Sequence, residues 1–191
     1  MPLHKHFGLE GKHAMLSPSQ HAWIRYDEDK VEKIFRTQQA VAKGTRLHAL
    51  AATLIQEGVK LPESSETLNA YVNDAIGFRM TPEQILYYSE NAFGTTDAIC
   101  YRDNCLRIHD LKTGLNEASF EQLETYAAFY CLEYHENPFD IEIELRIYQN
   151  DTFKELNKAI DPGLADKVMH IMEQTKLLDR KISELKAEEV Y

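Results

Sequence analysis

The sequence predicts an α/β (α+β) fold: one central mixed β-sheet flanked by helices, followed by a long C-terminal helix. Three observations predict it. Between Gln84 and Lys112 the runs ILYYSE, FGTTDAICY and CLRIHDLK are short, apolar and separated by turn-type residues, as strands are. The stretch DIEIELRIY (140–148) alternates strictly, which is the period of a half-buried strand. Elsewhere apolar residues recur every three or four positions, the period of a helix with one buried face.

Taken in order, residues 1–16 carry His4, His6 and His13 and show no clear period, so an N-terminal arm is expected there. His4-x-His6 reads either as a weak metal pair or as an incidental terminal pair. Ser17-Pro18-Ser19 has the form of a helix start, a hydroxyl cap with proline in the first turn, and Trp23 and Ile24 anchor a short helix. A second helical stretch runs from Asp29 to Arg36. A third, Thr37 to Gln56, places Leu47, Leu50, Ala51 and Leu54 on one face, with Gly58 as its C-cap. Pro62 to Ser65 reads as a loop, 64–78 as a helix through Leu68, Tyr71, Val72 and Ala75, and Thr81-Pro82-Glu83 as punctuation before the first strand. After the three strands, Glu117 to Tyr134 returns to helix, with Leu123, Tyr126, Ala127 and Tyr130 in register. The alternating strand comes after Asn137-Pro138. Two helical stretches, split by Asp161-Pro162-Gly163, complete the chain.

Composition narrows the class. The 191 residues are 43% hydrophobic and 27% charged, the values of an ordinary globular chain. No apolar stretch approaches the about 20 residues of a membrane span, and the first residues lack the apolar core of a signal peptide. A cytoplasmic protein with no membrane partner is expected. The three cysteines, Cys100, Cys105 and Cys131, have no C-x-x-C spacing and read as free thiols. A net charge of −10 disfavours attraction of a polyanion to the surface as a whole and leaves room for a local basic groove or for acidic metal sites.

The segment 93–114 carries the chemistry. If Asp103-Asn104 is a two-residue hairpin turn, which both residue types suit, Arg102 pairs with Cys105 and Asp97 falls opposite Asp110. A three-residue turn would shift that register by one. Opposed carboxylates about 5 Å apart repel, and a divalent cation removes the conflict. Lys112, two residues on, emerges on the face of Asp110. Two acids about a metal with an adjacent ammonium suit phosphodiester hydrolysis. The competing reading is a surface hairpin with two solvated acids and a chance Asp-x-Lys.

These residues also form an ordered set: Gly94-Thr95-Thr96-Asp97, then Asp110-Leu111-Lys112-Thr113-Gly114, then Gln122-Leu123-Glu124-Thr125-Tyr126. The set resembles the PD-(D/E)XK nuclease superfamily, and within it the RecB-like branch of CRISPR-adaptation and phage exonucleases, which reads G-x-x-D, (D/E)-x-K-T-G and Q-x-x-x-Y. His48, in KGTRLHALAA, stands where that branch has an upstream histidine, and LSPSQ resembles its opening serine motif. The resemblance spans roughly residues 16–150. It implies a restriction-endonuclease-like core over 17–160, with 161–191 as an appended helix. It implies one or two Mg²⁺ or Mn²⁺ ions held by His48, Asp97, Asp110 and the Leu111 carbonyl. Lys112 would orient or activate water, and Gln122 and Tyr126, one helical turn apart, would support the site or touch the substrate. The implied activity is a metal-dependent DNA nuclease, an exonuclease of phage or mobile-element recombination, replication or processing. Relatives that hold an iron–sulfur cluster use four cysteines; with three, wrongly spaced, no cluster is expected here.

Other features admit two readings each. His48 flanks the apolar face of Leu47, Leu50 and Ala51, so it is a ligand or a boundary residue. His109 points away from Asp110 and is not counted as a ligand. Glu90 is an extra ligand or a solvated strand end. Lys30, Lys33, Arg36, Lys43 and Arg46 reach phosphates or form a solvated face, and Glu142 and Glu144 line a strand or take a catalytic role. Leu164, Val168, Ile171, Thr175, Leu178, Ile182 and Leu185 step by four and three, a heptad seam that serves self-association, a protein partner or packing on its own domain. The alternative function is a nuclease-fold module that binds nucleic acid or protein through this helix with little or no cleavage.

Overall fold

Five strands form one sheet in the order β1-β2-β3-β4-β5: β1 (Thr81–Ser89), β2 (Ala92–Arg102), β3 (Cys105–Leu111), β4 (Glu142–Gln149) and β5 (Thr152–Leu156). Only β3 and β4 run parallel, so the sheet is mixed, as expected. The computed structural model describes residues 5–114, 116–156 and 161–188. His4, half of the His4-x-His6 pair, lies outside them.

The β2–β3 hairpin turns on Asp103 and Asn104, both left-handed at φ 52° and 60°, and Arg102 pairs with Cys105. This two-residue turn matches the right-handed twist of the strands. The same device makes β5. Asn150 and Asp151, at φ 53° and 55°, turn the chain so that Gln149 pairs with Thr152. The helix expected directly after the alternating strand is therefore a strand through Leu156; residues 157–160 lie outside the described ones. The Asp151 carboxylate then accepts the amide of Thr67, at the start of a helix.

Among the described residues four α-helices accompany the sheet: α1 (Glu28–Glu57), α2 (Thr67–Gly77), α3 (Glu121–Tyr134) and α4 (Pro162–Glu188). The helical stretches expected at 29–36 and 37–56 are one helix. Its N-cap is Asp27, whose carboxylate accepts the Lys30 amide at 2.8 Å. Gly58, at φ 67°, ends it while the Val59 amide reaches back to the Leu54 carbonyl. Thr81-Pro82-Glu83 belongs to β1 rather than to a turn. β1 is an edge strand, where a proline costs no ladder bond that matters.

The chain divides into two compact units, 1–42 and 43–191. In the first, Pro18–Arg25 is a 3-10 helix; the Ser17 hydroxyl meets Ser19 instead of capping it, and the Trp23 indole donates to the Ser17 carbonyl. In the second, the sheet is covered on both faces. Leu106, Ile108, Ile143 and Leu145 pack with Leu123 and Ala127 of α3 and with Leu164, Val168 and Met172 of α4. On the other face Ala98, Cys100 and Leu111 pack with Ala51 and Ile55 of α1 and with Tyr71, Val72 and Ala75 of α2. The heptad seam thus divides. Its first half is core, whereas Leu178, Ile182 and Leu185 stay exposed. All three cysteines are buried free thiols. Among the described residues no helix is long and apolar enough to cross a membrane.

Candidate metal centre

The centre forms where the β1–β2 ladder breaks. Pro82 pairs with Ala98 and Gln84 with Thr96, and between them Glu83 and Asp97 face each other without pairing. Glu83 is left-handed, φ 51°, an uncommon backbone for glutamate. Strict alternation would keep Gly94 and Ala98 on one face. Instead, Gly94 lies against Tyr126 of α3, while Ala98 packs with α1 and α2. The strand changes phase across the break, which frees Glu83 and Asp97 to converge. Asp97 Oδ2 accepts the Leu111 amide at 2.8 Å, fixing the carboxylate across the β2–β3 hairpin.

Helix α1 brings His48. Its Nδ1 lies 3.1 Å from Asp97 Oδ1. One turn earlier Gly44 is buried, and a Cβ there would sit 2.7 Å from the Thr113 hydroxyl. The glycine therefore lets the segment after β3 approach α1 close to the turn that carries His48. One donor atom each from His48, Glu83 and Asp97 lies within 4.8 Å of the others.

Asp110 comes from the end of β3, one step beyond the last paired residues, Ala98 and His109. It is 3% exposed. Lys112 Nζ donates to its Oδ1 at 3.1 Å and to Gln122 Oε1 at 2.7 Å. The Gln122 amide group donates to the Tyr126 hydroxyl at 3.4 Å, and that hydroxyl donates to the Thr95 carbonyl at 2.6 Å. Gln122 and Tyr126 thus link α3 to both Lys112 and β2. Gly94 is required for this contact, since its Cβ would fall 2.9 Å from a Tyr126 ring carbon.

The electrostatics follow from these positions. The hydrogen bond to Asp97 raises the His48 pKa above 6.5, against the opposing effect of burial. Partial burial, then Asp97, raises Glu83. Burial, then the Asp97 charge, raises Asp110, and Lys112 only partly offsets them. Three carboxylates face one ammonium. Asp110 Oδ2 is buried and has the ammonium 3.0 Å away, yet no donor is aligned with it. Hard oxygens with one imidazole are the donor set that Mg²⁺ or Mn²⁺ accepts. The residues fit a divalent cation.

The structure thus gathers His48, Asp97, Asp110, the Leu111 amide, Lys112, Gln122 and Tyr126 in one region. It adds Glu83, which the sequence alone reads as punctuation. The register set at the turn, where Ser89 pairs with Ala92, would put Gln84 opposite Asp97; a bulge between Tyr87 and Ser89 shifts it by one and brings Glu83 there instead. Glu90 sits beyond the opposite end of β1, exposed, and is not in the group. Arg36 pairs with Glu32 within its own helix. Glu144 joins a separate buried cluster with His109. No family model, curated protein or solved structure matches the chain.

Proposed function

We propose that this chain is a Mg²⁺- or Mn²⁺-dependent nuclease that hydrolyses phosphodiester bonds in DNA. The observation that carries the proposal is the convergence of His48, Glu83 and Asp97 within 4.8 Å, flanked by the Asp110–Lys112 pair. The resemblance of the motif set to the RecB-like branch of the PD-(D/E)XK nucleases supplies the reaction class. It also motivates an exonuclease acting in the cytoplasm on phage or mobile-element DNA.

His48, Glu83, Asp97 and Asp110 would hold the cation, with the Leu111 carbonyl as a further oxygen. When bound, it supplies Lewis acidity at a phosphate oxygen and acidifies a water. The chain's own groups do the rest. Lys112 Nζ, held by Asp110 Oδ1 and Gln122 Oε1, keeps its remaining proton for a water or a non-bridging phosphate oxygen. There it stabilises negative charge that grows as the new P–O bond forms and the ester P–O bond breaks. Gln122 and Tyr126 position that lysine and touch no reacting atom.

The test is digestion of end-labelled linear DNA and closed circular DNA with Mn²⁺, by wild type and Lys112→Ala. Wild type should degrade the linear DNA, and the variant should be at least about 100-fold slower. Cleavage of neither DNA by a protein that binds Mn²⁺ would sink the proposal. The exposed Leu178, Ile182 and Leu185 favour one second reading, a binding module whose copies associate through α4. In that case sedimentation should give twice the mass of the chain, reduced to one by Leu178→Glu, with no cleavage.

A further inference from the structure

β1 and β2 present an exposed aromatic surface beside the carboxylate centre. Tyr87 pairs with Phe93 across the strands, and their rings lie 6.4 Å apart at 28°. Phe93 is 60% exposed, Ile85 53% and Tyr87 48%. Burying any of them would stabilise the fold, so their exposure on a well-formed sheet asks for an occupant. Their direction is fixed. Leu86 and its partner Gly94 face α3, so Ile85, Tyr87, Phe93 and Thr95 face the opposite side. That is the side on which Ala98 packs against α1, the helix that bears His48. Phe93 precedes Asp97 by four residues, about 13 Å at roughly 3.3 Å per residue. Exposed Thr95 lies between them.

We infer that the Tyr87–Phe93 pair is a stacking platform for the bases of single-stranded nucleic acid, from which the backbone continues to the carboxylate centre. The inference rests on the nuclease reading and names its substrate class. Charge does not supply the affinity. A chain of net charge −10, with three carboxylates at the centre, offers a polyanion little general attraction. Contact with an uncharged part of the substrate must then supply affinity, and base–aromatic stacking does so without regard to sequence. A duplex hides its base faces within its own stack, so only a single strand or an unwound end can use the platform.

The experiment uses the full chain carrying Lys112→Ala, so that bound strands stay uncut, and follows a dye-labelled single strand by fluorescence anisotropy. Tyr87→Ala with Phe93→Ala should weaken binding about tenfold. Tyr87→Trp with Phe93→Trp should restore it, and a strand of the same length with abasic residues should bind the parent as weakly as the intact strand binds the alanine pair. Both side chains are largely exposed, so the alanine pair loses only the cross-strand contact and should melt within a few degrees of the parent. Equal affinity of parent and alanine pair for the intact strand overturns the platform. So does a change of sedimenting mass on alanine substitution, which assigns the patch to a second copy. Cleavage of single strands with unchanged KM, by the alanine pair in a chain that keeps Lys112, overturns the platform and leaves the nuclease reading intact. A parent chain that neither binds nor cuts nucleic acid overturns both.

Discussion

β3 carries His109 and Asp110 at successive positions, and they face opposite sides of the sheet into opposite electrostatic surroundings. On the His109 side, Glu144 lies 3.1 Å from Arg146, 3.4 Å from Arg107 and 3.7 Å from His109. Asp74 adds a contact to Arg146 and accepts the Tyr148 hydroxyl. Both guanidinium groups also lie over the Phe78 ring. The protein neutralises this cluster itself. Burial pushes the Glu144 pKa up, but His109, Arg146 and Arg107 outweigh it and the net shift is downward. Burial keeps His109 neutral by lowering its pKa. At the carboxylate centre the signs reverse. Burial, then the Asp97 charge, raises Asp110 and Glu83, and the hydrogen bond to Asp97 raises His48. One cluster is compensated in charge, and the other is short of positive charge.

Neutralising one acid in each cluster is the sharpest way to break this comparison. Glu144→Gln leaves Arg107 without its carboxylate and Arg146 with that of Asp74, and stability should fall by about 3 kcal/mol in a urea titration. Asp110→Asn removes an acid that the metal-free fold disfavours in its charged form. Its urea midpoint in chelator should stay level or rise. Two equal losses would mean that Asp110 is as well compensated as Glu144, and the case for a bound cation would fail.

Adding the cation sharpens the contrast next. At a hundredfold excess over its Kd, Mn²⁺ should stabilise the wild type by about 2.7 kcal/mol. In a domain of this size that is a rise in melting temperature of roughly 5–10 °C. Asp97→Asn and Glu83→Gln should abolish most of the rise, whereas Glu144→Gln should keep it in full. A rise that survives Asp97→Asn places the ion elsewhere.

The sequence revealed the two clusters unequally. Asp97, Asp110 and Lys112 were legible because a two-residue turn fixes a hairpin register, and a register fixes which side chains meet. The alternation of Ile143, Leu145 and Ile147 with Glu144 and Arg146 was legible for a related reason, since a period of two allows one assignment to faces. Glu83 was not, because a proline and a left-handed glutamate imitate the end of a strand. The phase change at Asp97 was hidden as well. It comes from a break shared by two strands, which neither strand shows alone. β5 was missed although Asn150-Asp151 repeats the character of Asp103-Asn104; the polar run after it offers no alternation to mark a strand. The buried partnership of Glu144 with Arg107 depends on the parallel pairing of β3 with β4, and pairing between strands distant in sequence leaves no local trace.

The two histidines provide the finest test. His48 is held protonated above pH 6.5 by its hydrogen bond to Asp97, whereas burial keeps His109 neutral down to lower pH. A metal takes only the neutral imidazole, so binding at His48 must release its proton at any pH below the raised pKa. Of the acids around it, Glu83 and Asp110 are raised by burial and by Asp97 but start from a lower ordinary range. Lowering the pH from 8 to 6 should therefore weaken Mn²⁺ binding, approaching about tenfold per pH unit once His48 is mostly protonated. Titration calorimetry in two buffers of different ionisation enthalpy should count close to one proton released at pH 6 and fewer at pH 8. His48→Asn should bind more weakly at pH 8 and lose most of the slope. Phe78→Leu, which alters the surroundings of His109 and not those of His48, should leave the slope unchanged. A wild-type affinity that does not vary over this range would remove His48 from the coordination set and leave the three carboxylates to hold the ion alone.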